Sequence, residues 1–312
     1  MKVIYFPEDL KPPRLAYPVL ALGNFDGLHR GHLKIVEQVK KSSSEHGGTA
    51  MAMTFDPHPP KIIRPEKAPK LLMTTEQRLE ALQNAGIEVV VVVNFTYELS
   101  RWEPEKFVEK VLVQWLKVAE VLVGSNFLFG RDRTGGFSLL RRLGQEHGFR
   151  AEKIDPVRYK QFIVSSTRVR RLVSEGKVDE AAALLGHSYR LDGKVVQGEK
   201  RGRKLGYPTA NIITNNALIP PNGVYATTLE VDGISRAGLT NIGVRPTYSD
   251  SDSVTIETHV LNHQEELYGS SIRLGFVQRL RDEKKFSDAD SLRAQIKIDE
   301  ETAKRLFDKL SV

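Results

Sequence analysis

Residues 88–95 read Glu-Val-Val-Val-Val-Val-Asn-Phe, five β-branched apolar residues in a row. A strand with one wet face alternates apolar and polar side chains. This run does not alternate, so it predicts a strand buried on both faces, as in a parallel sheet with helices on each side. The neighbouring chain agrees. Residues 17–25, 48–55 and 119–127 read as strands, and 31–47, 74–86, 104–118 and 135–148 read as helices. The first helix carries Leu33, Val36 and Val39 on one side, and 74–86 has a Thr cap and a Gly stop. Strand and helix in turn define a doubly wound sheet, with ligands at the carboxyl ends of its strands.

The rhythm changes near residue 187. Two short helices, 167–176 and 179–188, end the first half. Five short strands punctuated by Gly, Asn and Pro follow, at 189–198, 223–233, 235–243, 254–262 and 271–280. That pattern predicts an antiparallel barrel or sandwich, closed by a helix from about Ser287 to Leu310. With 312 residues, two domains are expected, 1–187 and 188–312. The chain lacks cysteine, which excludes disulfides and thiolate metal sites and fits a reducing cytoplasm. No apolar run is long enough for a membrane helix. The apolar stretch in MKVIYFPEDLKPP is too short for a signal peptide. The net charge of +7 suits phosphorylated ligands or nucleic acid, and also occurs on proteins that bind neither.

Residues 22–36, LGNFDGLHRGHLKIV, place His29 and His32 one helical turn apart at a helix mouth. Helix-opening N–H groups favour anions. Gly23 and Gly27 let the chain turn, and Gly31 lets a phosphate approach the backbone. Imidazoles so placed stabilise charge on a phosphate without becoming covalent intermediates. Two surface histidines at a loop junction are the bland reading, and the surrounding pattern Gly-x-x-Asp-Gly-x-His-x-Gly-His argues against it. Zinc is the weaker alternative, because no third ligand is evident. In IVSSTRVRRL, Ser165, Ser166 and Thr167 can cap a helix and offer hydroxyls to phosphate oxygens, and Arg168 adds a bidentate fork. Taken alone, this stretch is better explained as a plain N-cap with a basic face. VGSNFLFGRDRTGG supplies Asn126 and Phe127 after a strand.

In the second half, GEKRGRKLGYPTANI repeats Gly198, Gly202 and Gly206 among Lys200, Arg201, Arg203 and Lys204. This is neither a Walker A loop nor a Gly-x-Gly-x-x-Gly fingerprint. It reads as a basic flap over phosphates, a nucleic-acid patch, or a solvated charge run. Thr209 and Asn211 lie two apart, on one side of an extended segment, and such oxygen donors suit Mg²⁺ held jointly with phosphates. Along 254–262, Ile256, Thr258 and Val260 share one face, with Glu257, His259 and Leu261 on the other. Glu257 is a general base if it reaches a substrate hydroxyl, and otherwise a solvated strand residue.

His-x-Gly-His after the first strand, with Ser-Ser-Thr-x-x-Arg late in the same domain, resembles the nucleotidyltransferase superfamily. GNFDGLHRGH, TFDPHP, VGSNFLFG and SSTRVR resemble more closely the adenylyltransferase module of the bacterial bifunctional riboflavin kinase/FAD synthetase family, which often has Asp at the position of Asn126. GRKLGYPTANI, PPNGVYA, TNIGVRPTY, ETHVLN, ELYG and LRDEKKF resemble its riboflavin kinase module. The resemblance implies an α/β Rossmann-like nucleotidyltransferase domain, then a six-stranded antiparallel β-barrel with a terminal helix. It implies two reactions: ATP phosphorylates riboflavin to FMN, then adenylylates FMN to FAD with release of pyrophosphate. Gly23, Asn24, Phe25, Asp26, Gly31, Ser165, Ser166, Thr167 and Arg168 would bind ATP in the first module, with His29 and His32 catalytic and Asn126 and Phe127 on the flavin. In the second module Gly198, Gly202, Arg203 and Gly206 would bind ATP, Thr209 and Asn211 Mg²⁺, and Arg281 the flavin, with Glu257 as base. No nucleic acid, no membrane and a cytoplasmic location are expected, with monomer or transient homo-oligomer left open.

Two other readings exist. One is a nucleotidyltransferase for another phosphorylated acceptor with an accessory barrel, opposed by PTAN and ETH. The other is a basic RNA-binding protein using KRGRK and RVRRL, opposed by the lack of an aromatic-rich stretch for base stacking.

Overall fold

The computed structural model describes residues 1–9, 14–198, 202, 206–245, 253–262 and 267–310. The chain divides into two compact units, Met1–Ser166 and Thr167–Val312.

The first unit is built on six parallel strands: β1 (Lys2–Phe6), β2 (Pro18–Leu22), β3 (Thr49–Asp56), β4 (Val89–Asn94), β5 (Glu120–Gly124) and β6 (Arg150–Ile154), in the order β1-β4-β3-β2-β5-β6. The valine run is β4, and all five of its valines are buried. The strands split their side chains between two cores. Leu20, Met51, Val91 and Val121 face one, and Val19, Ala50, Val90 and Leu122 face the other. Helix α1 (Arg30–Glu45) and α2 (Thr75–Asn84) cover the second core through Val36, Val39 and Leu82. A Thr74–Gln77 capping box starts α2. Segment 104–116 and α3 (Phe137–His147) cover the first core through Leu112, Leu140 and Leu143. The expected helix at 104–118 is one α-helical turn, Pro104–Phe107, continued as a π-helix over Val108–Trp115. Strands β1 and β6 are additions to the sequence reading.

Strand β2 lies between β3 and β5, with Ala21 beside Ala52 on one side and Leu122 on the other. The chain leaves β2 toward β3 over one face and reaches β5 over the other. The carboxyl ends of β2 and β5 therefore flank a topological switch point, where open α/β sheets bind ligands.

The second unit opens with α4 (Ser166–Ser174, its first residue closing the first unit) and α5 (Val178–Leu185). A closed antiparallel barrel follows: β7 (Tyr189–Val196), β8 (Ala210–Thr214), β9 (Gly223–Val231), β10 (Ile234–Arg245), β11 (Ser253–Val260) and β12 (Ser271–Arg281), ordered β7-β8-β11-β10-β9-β12. Strand β8 completes the five strands read from the sequence. Inside the barrel Thr227, Thr240 and Thr258 are fully buried and joined at 2.7 and 2.8 Å by their hydroxyls. This satisfies groups that are expensive to bury alone and fixes the register of three strands. Terminal helix α6 (Ala289–Leu310) packs on the barrel through Ala303 and Phe307. Before it, Asp288 accepts the Ser291 N–H and the Ser287 and Ser291 hydroxyls, which hold its carboxyl down to about 2.

The structural division at Ser166/Thr167 precedes the change of rhythm at 187, because α5 packs against β7 and β12 and so groups with the barrel. Val178, Ala181, Leu184 and Leu185 are its buried side. Each fully buried aliphatic side chain contributes roughly 1.5–3 kcal/mol. A fragment beginning at Ser188 is therefore expected to melt at lower temperature than one beginning at Thr167. Circular dichroism melts of the two fragments check this, and equal midpoints would make α4 and α5 mere appendages.

Candidate functional site

The turn from β2 into α1 passes through left-handed backbone at Phe25 (φ 50°), Gly27 (84°) and Leu28 (34°). Non-glycine residues hold that conformation only where packing enforces it. Here Phe25 and Leu28 are buried in the core beneath α1. Hydrogen bonds from Arg78, Thr54, Ser166, Leu72 and Met73 pin the same loop. Arg78 and Thr54 donate to the Asn24 carbonyl at 3.1 and 3.0 Å. Ser166 Oγ donates to the Asp26 carbonyl at 2.9 Å, and the Asp26 carboxylate accepts the Leu72 N–H at 2.9 Å. A second backbone N–H, from Met73, reaches Asp26 at 3.1 Å. Burial lowers the pKa of the Arg78 guanidinium, while the Asp26 and Asp56 carboxylates oppose the shift.

The loop delivers two imidazoles. His29 is the N-cap of α1, and its Nδ1 accepts the His32 N–H at 3.2 Å. Neutral His29 therefore carries its proton on Nε2. The two rings stack at 3.7 Å with 12° between planes, and Phe25 meets His32 edge-on at 5.3 Å. A Cβ on Gly31 would lie 3.1 Å from His29 Cε1. Glycine at 31 therefore leaves the His29 ring its place beside the start of α1.

Other expected residues take different postures. Gly23 and exposed Asn24 lead into the loop. Phe25 and Asp26 point their side chains inward, because one fills the core and the other spans to the N–H groups of Leu72 and Met73. Only their backbone remains for a ligand. Ser166 directs its hydroxyl at the loop. Ser165 is half-buried beside it, while Thr167 and Arg168 open the second unit. After β5, Asn126 is exposed and Phe127 stacks on Phe129 at 5.2 Å. Sequence reasoning missed Arg78, since an arginine in an amphipathic helix reads as solvent-facing.

Asp26→Ala is expected to leave two buried backbone donors unsatisfied, at about 1–3 kcal/mol each. The loop should loosen, so the first unit melts earlier and its reaction slows. A full-chain variant with wild-type melting would show that the pins are redundant.

The second unit has its own cavity, about 390 Å³ in volume. Strand pairing sets Asn211 of β8 opposite Glu257 of β11, and Glu257 opposite Asn241 of β10. All three line the cavity with Thr209 and Arg281. Ile256, Thr258 and Val260 are buried, so Glu257 lies on the other face, as the alternation predicts. His259 Nδ1 sits 2.8 Å from the Pro208 carbonyl, which ties down the segment entering β8. The glycines before it allow close approach. A Cβ on Gly198 would clash with the Asn211 side chain, and one on Gly202 with the Tyr207 carbonyl. Gly206 turns at φ 85°. Arg203, with Lys200, Arg201 and Lys204, lies outside the described residues. Among the described residues no three His, Asp or Glu gather as a metal cluster. Sequence reasoning missed Asn241 and Asp299, both in the cavity wall. Asn241 owes its place to its register opposite Glu257, which strand pairing alone sets.

Fold and sites together define a two-domain protein, an α/β sheet with an imidazole-lined helix mouth joined to a barrel with a cavity of mixed charge. Family profiles described as FAD synthetase and riboflavin kinase match residues 12–168 and 185–307. The chain belongs to the bifunctional riboflavin kinase/FMN adenylyltransferase family. It is 35% identical to the family member of Listeria monocytogenes over 99% of both chains, and 35% identical to that of Escherichia coli K12 over 98% of both. A crystal structure described as a macrolide-efflux protein from Streptococcus pneumoniae shares the fold, with TM-score 0.89, 26% identity and 97% of this chain covered. Among the described residues no helix is long and apolar enough to cross a membrane.

Proposed function

We propose that the chain makes two flavin cofactors in succession, with one reaction housed in each domain. It is a riboflavin kinase through the barrel and an FMN adenylyltransferase through the α/β domain. The carrying observation is that both family profiles match in this order, within a chain alignable over nearly its whole length to named relatives. The functional division is put between His187 and Ser188, close to residue 185 where the riboflavin kinase match begins.

In the barrel, Glu257 accepts the proton of the riboflavin 5′-hydroxyl. That oxygen bonds to the γ-phosphorus of ATP, and the bond to ADP breaks. Gly198, Gly202, Arg203 and Gly206 border the phosphates, and Arg281 meets the flavin. Thr209 and Asn211 offer neutral oxygens that would hold Mg²⁺ together with phosphate oxygens, where the ion would supply neutralisation of charge on the departing group.

In the α/β domain, a phosphate oxygen of FMN attacks the α-phosphorus of ATP and pyrophosphate leaves. His29 and His32 donate to oxygens on which charge develops. Gly23 to Asp26 offer backbone, Ser165 to Arg168 offer hydroxyls and a guanidinium, and Asn126 and Phe127 flank the flavin. ATP, riboflavin and FMN are the partners of this reading, with no nucleic acid, a cytoplasmic setting and a monomer or transient homo-oligomer.

The test is to incubate the protein with riboflavin, ATP and Mg²⁺ and separate the flavins by chromatography. FMN followed by FAD supports both reactions. Unchanged riboflavin overturns the kinase, and FMN that never becomes FAD overturns the adenylyltransferase. Omitting Mg²⁺ should abolish phosphorylation.

A further inference from the structure

Helix α6 carries one unbroken face at Leu292, Ile296, Asp299, Ala303 and Phe307, spaced by three or four residues. Its two ends do different work. Ala303 and Phe307 are buried against Val224, Ala226 and Leu239 of the barrel. Leu292 and Ile296 instead line the cavity. Asp299 stands at the junction, where the helical period calls for an apolar residue, and it is only 5% exposed.

Its carboxylate grips Arg281, the last residue of β12. Arg281 Nε lies 3.0 Å from both oxygens and Nη2 lies 2.8 Å from Oδ2. Gln295 adds a donor at 2.9 Å, one turn earlier on the helix. Arg281 Nη1 also donates to the Asp282 carbonyl at 3.0 Å. A guanidinium has five N–H groups. Three are used by these bonds, so two remain without a partner among the described residues, on a side chain that lines the cavity. A buried ion pair of this kind is about neutral for stability against well-packed apolar side chains. Stability alone does not account for it.

We infer that Asp299 is a positioning residue for the kinase reaction, aiming the two spare N–H groups of Arg281 at the carbonyl edge of the flavin ring. This rests on the assignment of the barrel cavity to riboflavin phosphorylation. The ring is the fitting ligand for two reasons. Pairing with Asp299 cancels the positive charge that a triphosphate would need, while leaving donors suited to neutral carbonyls. The adjoining wall, Phe286, Leu292 and Ile296, is apolar and suits a flat aromatic system. The same pair ties α6 to the cavity, so the terminal helix is part of the flavin site.

The experiment uses the full chain carrying Asp299→Asn. A misaimed guanidinium should raise the riboflavin KM ~10-fold or more, the usual weight of a hydrogen bond to a charged group. The kinase kcat, the ATP KM and FAD synthesis from added FMN should hold. The second readout is discrimination against riboflavin whose ring carbonyl oxygens are replaced by sulfur, a poor acceptor. The wild type should disfavour this analogue, and the variant should treat it like riboflavin. If Asp299→Asn does not fold, Gln295→Leu removes one support of the carboxylate and should move the same two readouts less far in the same direction. Unchanged riboflavin KM and retained discrimination in the folded variant overturn the inference. So does a fall in kcat with riboflavin KM unmoved. A wild type that leaves riboflavin unphosphorylated fails at the assignment of the cavity itself, and the inference falls with it.

Discussion

His32→Ala is expected to slow FAD formation from FMN and ATP by ~10²-fold or more, the usual effect of removing one charge-stabilising donor from a preorganised site. Riboflavin phosphorylation should stay normal, because Glu257 and its cavity belong to the other unit. The start of α1 should survive. The cap bond runs from the His32 backbone N–H to His29 Nδ1, and alanine keeps that N–H. What is lost is one of two stacked imidazoles 3.7 Å apart and the edge contact with Phe25. Both activities and the melting temperature should be read on one preparation. Wild-type FAD synthesis would remove His32 from the chemistry. Loss of both activities with early melting would assign it a structural role.

Glu257→Gln is expected to cut riboflavin phosphorylation by ~10² to 10⁴-fold, the usual range for loss of a general base. The effect has a ceiling, because phosphoryl transfer depends mainly on positioning and on the metal. Gln keeps the length and hydrogen-bonding shape of Glu but accepts no proton. The strand should be undisturbed, since Ile256 and Thr258 on either side face the barrel interior and Thr258 bonds to Thr240. Riboflavin binding should persist, because the group removed acts on the hydroxyl proton and not on the ring. FAD synthesis from added FMN should be unaffected. Kinase turnover and flavin affinity measured together decide the matter. Full turnover would return Glu257 to the status of a solvated strand residue. Joint loss of turnover and flavin binding would make it structural.

Which elements were legible follows from their surroundings. Strand β4 announced itself because a strand buried on both faces admits only apolar side chains. Strand β6, with the sequence Arg-Ala-Glu-Lys-Ile, did not, since it is a sheet edge with little buried surface. Strand β1 is the opposite edge and, among the described residues, pairs only with β4. The five-residue strand β8 hid behind the glycine-rich segment before it. In 104–118 the apolar period revealed a helix, but whether carbonyls pair four or five residues on depends on packing around Val108–Trp115.

By itself the sequence determined the class of each half, through the period of its apolar residues. It also determined the placing of His29, His32 and Glu257, through short-range spacing. One helical turn separates the histidines, and strand alternation puts Glu257 opposite the buried face. Only the tertiary structure decided what depends on residues distant along the chain. Asp26 turns inward because Leu72 and Met73 present their N–H groups there. Arg78 reaches the Asn24 carbonyl from another helix. Asp299 meets Arg281 because α6 folds back on the barrel. Local spacing carries no information about such partners, since their proximity is created by burial of the cores between them.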